Sequence, residues 1–80
     1  MSTTTPRLTV VALAEAHGWR RIATPDVDVF VRGETEVTVA YHGADRDRIA
    51  AANIGETGRA ARYPADPRDR AGAITRWLTA

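Results

Sequence analysis

The residues with the most obvious chemical capacity are His42, Asp45 and Asp47, because an imidazole with two carboxylates in one short stretch is a set that binds divalent cations. Their spacing matches no metal motif, and acids in such stretches ordinarily hydrogen-bond to nearby backbone amides, so no metal and no cofactor is assigned. His17 falls at the expected end of a helix, where a favourable interaction with the dipole explains it better than catalysis does. Nucleophilic catalysis is poorly supplied. The only serine is Ser2, and there is no cysteine, which removes thiolate nucleophiles, thiolate metal sites and disulfides together. The run Gly55-Glu56-Thr57-Gly58-Arg59 has the glycines of a phosphate-binding loop but not its lysine. The chain has no lysine at all, which also excludes Schiff-base chemistry. These residues lead us to expect a protein that is not an enzyme.

All eleven basic residues are arginine, and arginine forks onto phosphates and carboxylates alike. Arg20 and Arg21, with Arg59, Arg62, Arg68 and Arg70 later in the chain, are the candidates for a nucleic-acid surface. The balance of charge argues against that as the first choice. Net charge is only +1, the two halves of the chain differ little, and Glu56, Asp66 and Asp69 are interspersed among the late arginines.

Eighty residues make one domain, which buries only roughly 60 to 65% of the surface its unfolded chain exposes. A large substrate-enclosing core is therefore excluded. A hydrophobic fraction of 44% with 26% charged residues is that of a folding, globular chain. No apolar run approaches the roughly 20 residues of a membrane span, and the first six residues lack the basic and apolar regions of a signal peptide. A cytoplasmic protein of bacterial or phage-infected cells is the expectation.

The elements that position these residues follow from periodicity. Thr5 and Pro6 read as the cap and first residue of a helix running to about His17, with Gly18 as its left-handed terminator and Trp19 folding back over Leu13 and Ala14. Thr24-Pro25-Asp26 is a turn signal. Val27, Val29 and Val31 alternate, as do Val37, Val39 and Tyr41, across a polar break, which predicts a β-hairpin. A three-residue loop at residues 33–35 sets Val31 against Val37, Val29 against Val39 and Val27 against Tyr41, with Arg32 meeting Glu36 as an ion pair. Residues 48–54 are read as a third strand, residues 55–65 as a loop or extra edge strand. Asp66 and Pro67 then open a helix carrying Ala71, Ile74, Trp77 and Leu78 on one stripe.

The fold class so predicted is α+β, a three-stranded antiparallel sheet flanked by an N-terminal and a C-terminal helix. Its order resembles that of double-stranded RNA-binding domains. Those domains contact phosphates through a lysine-rich start of the last helix, where this chain has Asp66-Pro67-Arg68-Asp69-Arg70. His17-Gly18-Trp19, Phe30-Val31-Arg32-Gly33, Val37-Thr38-Val39-Ala40-Tyr41 and Trp77-Leu78 make the chain similar to small uncharacterised proteins of actinobacteria and their phages. That resemblance implies the α-β-β-β-α fold and an origin; it carries no active site.

With both helices on the valine face, the other face displays Asp28, Phe30, Arg32, Glu36, Thr38, Ala40 and His42. An aromatic among charges on an open sheet is a contact anchor for a protein partner or a stacking platform for a base. The competing reading is that the loop at residues 55–65 covers Phe30 or that Phe30 faces inward as a core residue. Phe30, Arg32, Thr38 and His42 are accordingly the predicted partner-binding residues of a small interaction module, a phage accessory or regulatory protein that binds another protein or its own copy. Nucleic acid through the arginines is the alternative.

Overall fold

A computed structural model describes residues 6–43 and 48–80. Helix α1 (Pro6–Ala16) leads into four strands, β1 (Arg20–Ala23), β2 (Val27–Arg32), β3 (Thr35–His42) and β4 (Arg48–Glu56), and a 3-10 turn (Pro67–Asp69) opens helix α2 (Arg70–Thr79). The strands form one antiparallel meander in the order β1-β2-β3-β4. The α+β class, the two flanking helices and the strand at residues 48–54 are as expected, but the sheet has four strands, not three. The additional strand, β1, is four residues long, contains two arginines and is exposed throughout. It has no apolar alternation to betray it, and backbone pairing alone defines it. The turn at Thr24-Pro25-Asp26 is what joins it to β2, with Thr24 N–H donating to the Val27 carbonyl (2.9 Å).

The end of α1 is a Schellman motif. Trp19 N–H donates to the Ala14 carbonyl (3.0 Å) and Gly18 N–H to the Glu15 carbonyl (3.2 Å), with Gly18 at φ 80°. This turn drives Trp19 into the core, where it is 4% exposed and its indole Nε1–H donates to the Leu78 carbonyl (2.9 Å). The proposed cap at Thr5 lies outside the described residues. At the other end of the chain, the Asp66 carboxylate accepts from Arg68 N–H (2.9 Å) and so caps the 3-10 turn, one turn ahead of α2 itself. Beyond β4, Arg62 exchanges backbone hydrogen bonds with Ile54 (2.7 and 2.9 Å), so the segment at residues 55–65 is a loop that returns to pair briefly with the outer edge of β4.

The hairpin register differs from the expected one. Arg32 pairs with Thr35, leaving a two-residue loop of Gly33 and Glu34, with Gly33 at φ 61° as a primed turn requires. Phe30 opposes Val37, Asp28 opposes Val39, Val29 opposes Thr38, Val31 opposes Glu36 and Val27 opposes Ala40. Because side chains alternate, this one-residue change of loop sends the whole β2 set to the opposite face. The buried side is Phe30, Val37, Val39, Tyr41, Ala52 and Ile54, covered by Val10 and Ala14 of α1 and Ile74 and Leu78 of α2. Phe30 is completely buried, while Val27, Val29 and Val31 are half-buried on the other side.

Trp77 is half-buried against the edge of this core, and Ile74 and Leu78 of the same helix are fully buried. Fluorescence should separate the two tryptophans. Trp77→Phe should leave blue-shifted emission from Trp19 that iodide barely quenches, whereas Trp19→Phe should leave a more accessible Trp77. Free quenching of Trp19 would contradict its placement under the two helix ends.

Candidate functional site

Among the described residues, two places concentrate polar or exposed groups beyond what the core demands. One is a buried ion cluster at the start of α1, and the other is the face of the sheet that no helix covers.

Asp28 projects into the protein from β2 and has no exposed surface. Its carboxylate accepts from Arg7 Nε (3.1 Å) and Nη2 (3.0 Å) on α1 and from Arg21 Nε (2.9 Å) on β1. Arg7 also donates to the carbonyls of Thr24 (2.8 Å) and Pro25 (2.9 Å), and its guanidinium lies 4.8 Å over the ring of Tyr41. Burial by itself pushes the Asp28 pKa up, but the hydrogen bonds from Arg7 and then Arg21 outweigh it and hold the carboxyl below its ordinary value. Arg7 is shifted upward, first by its hydrogen bond to Asp28. Tyr41, 4% exposed, is pushed well above the usual phenol range, first by burial and then by the negative charge of Asp28. Arg7 is committed on all sides, which makes this cluster a fastener of α1 and β1 to the hairpin.

Arg32 has a similar role at the opposite end of β2. It stacks 4.4 Å over the Trp19 ring and donates to the His17 carbonyl (3.1 Å) and to Ala80 O (2.7 Å), joining the C-terminal ends of both helices. The expected ion pair with Glu36 is not formed, because Arg32 lies opposite Thr35.

The open face is made of three rows set by the register. Arg20, Val31, Glu36 and Gly55 form the first, Ile22, Val29, Thr38 and Asn53 the second, and Val27, Ala40 and Ala51 the third. Its centre is apolar, with Ile22 50% exposed. Of the four predicted partner-binding residues, Thr38 lies on this face, half-buried, and His42 is exposed at the end of β3. Phe30 is removed from the set by complete burial, and Arg32 by its engagement with Trp19 and the helix ends. The residues missed are Ile22, Val27, Val29 and Val31. Their signal was Gly33, since glycine in the first loop position favours the two-residue turn that turns the valines outward.

The other candidates are dispersed. Asp45 and Asp47 lie outside the described residues. Of the arginines, Arg21 is bound to Asp28, and Arg20 is exposed on the open face. Arg59 and Arg62 share a hollow of about 270 Å³ with Glu56, to which Arg62 is paired at 3.8 Å. Arg68 is exposed on the 3-10 turn, and Arg70 lines a separate hollow with Tyr63. The glycine loop at Gly55 borders a hollow of about 310 Å³ lined by Glu34, Glu36 and Glu56 as well as Arg59. Three carboxylates there repel a phosphate. No helix among the described residues is long and apolar enough to cross a membrane.

Comparison with protein-family models, with curated proteins and with solved structures found no match to this chain.

Proposed function

We propose that this chain is a small, non-enzymatic interaction module that engages a protein through the uncovered face of its sheet. The observation that supports this reading is the one-sided packing: both helices pack on the Phe30 side, and Ile22, Val27, Val29 and Val31 occupy the other. A sheet face of branched apolar side chains bordered by charge is the composition of a contact surface rather than of a solvated one. The role of Phe30 passes to these residues. Thr38 and His42 extend the surface toward the end of β3. A phage accessory or regulatory protein is a setting that such a module fits.

A photo-reactive amino acid tests this reading by position. Placed at Ile22 on the open face, it should form covalent adducts with protein in a lysate of the producing cell. Placed at exposed Glu15 on α1, it should form few. Equal yields from the two positions would remove the face from consideration as the contact surface.

A further inference from the structure

Resting on that reading, we propose that the partner is a second copy of this chain, packed face to face about a two-fold axis that lies along β2. The argument is the charge arrangement around the valines. Arg20 and Glu36 stand in the same row, on the strands immediately either side of Val31. Both are exposed, and neither side chain forms an ion pair or hydrogen bond with the described residues. A two-fold axis along β2 lays β1 of one copy over β3 of the other. It therefore places Arg20 over Glu36 of the partner subunit, and Glu36 over the partner's Arg20, in one operation.

The same operation stacks Val27, Val29 and Val31 on their counterparts and sets Ile22 over the methyl of Thr38. Packed sheets lie about 10 Å apart, a gap that an arginine and a glutamate reaching toward each other span. An axis across the strands instead superposes the first row on itself or on the third row. In the first case Arg20 meets Arg20, and in the second Glu36 faces Ala40 while Arg20 faces the end of β1, so neither charge finds an opposite one. Opposite charges symmetrically placed about a central apolar strand thus select one axis and disfavour the other.

The size of the face sets the strength of the dimer. About the β2 axis three strands overlap, and at about 4.8 Å spacing with three outward rows they cover roughly 300 Å² per copy. A standard stable interface takes about 800 Å² from each partner, so this dimer should be weak and reversible.

Sedimentation equilibrium from about 10 μM to 1 mM tests the proposal on the wild-type chain and four variants, with far-UV circular dichroism confirming that each is folded. The wild type should dimerise with increasing concentration. Arg20→Glu and Glu36→Arg each create two like-charge contacts and should weaken dimerisation about tenfold or more. The Arg20→Glu/Glu36→Arg double variant should return to within about threefold of wild type, since the exchanged charges pair again. Val29→Asp should abolish the dimer. A wild type that stays monomeric throughout, or a dimer indifferent to Val29→Asp or to the charge changes, overturns the proposal. The adducts from Ile22 separate this failure from that of the underlying reading. A monomer with abundant adducts to other proteins refutes only the second copy as partner, and a monomer without them refutes both.

Discussion

Asp28→Ala should destabilise the protein by about 3 to 5 kcal/mol, because it leaves the cations of Arg7 and Arg21 facing each other with their shared partner gone. For a domain whose total stability is on the order of 5 to 10 kcal/mol, that is most of the margin. The loss should appear as a shift of the midpoint in urea, with the slope of the transition little changed. The pH dependence follows the same group. Its pKa is lowered on folding, so its contribution is fully present above the unfolded-state value of about 3.9 and is lost as pH falls through the lower folded-state value. Wild-type stability should therefore fall steeply below about pH 4, and Asp28→Asn, already weakened at neutral pH, should show a shallower fall. A loss under about 1 kcal/mol in Asp28→Ala would show that the cluster is dispensable and that α1 is held by apolar packing alone.

Phe30→Ala should cost about 3 to 5 kcal/mol, the penalty for emptying a fully buried aromatic site, and should be measurable as a large fall in melting temperature. The paired contrast is sharper than the magnitude. Val39→Asp buries a second carboxylate directly opposite Asp28 on the same core face and should prevent folding. Val29→Asp lies on the half-buried outer face and should leave a folded monomer. The three-residue hairpin loop predicts the reverse for Phe30, and equal severity for Val29 and Val39. A Phe30→Ala variant that melts with wild type would mean that the two faces of β2 are exchanged.

Much of the frame could be read in the order of residues. Pro6 at the start of α1, Gly18 and Trp19 at its end, the alternation in β2 and β3, and Asp66 with Pro67 ahead of α2 are local signals, each produced by the conformational preference of one or two residues. They identify elements because the forces that start and stop a helix or turn act within a few residues. The α+β class and the single core follow from the same signals, since an alternating sheet and two amphipathic helices have apolar surfaces that only each other can cover.

Which side of the hairpin that core occupies was decided elsewhere. The valine face of β2 is the more apolar, yet the core forms on the side of Asp28 and Phe30, and only one residue of loop length separates the two registers. The Phe30 side is favoured because it also brings Asp28 to Arg7 and Arg21, residues from two other elements whose approach no local pattern announces. β1 was equally invisible, since four exposed residues become a strand only when Val29 and Phe30 lie beside them. Local preference thus determined what the elements are and where they end. Gly33 biases the register locally toward the two-residue turn, but the tertiary structure decided it, and with it whether phenylalanine or valine faces the outside, because the chosen side both buries Phe30 under the helices and brings a carboxylate to cations distant in sequence.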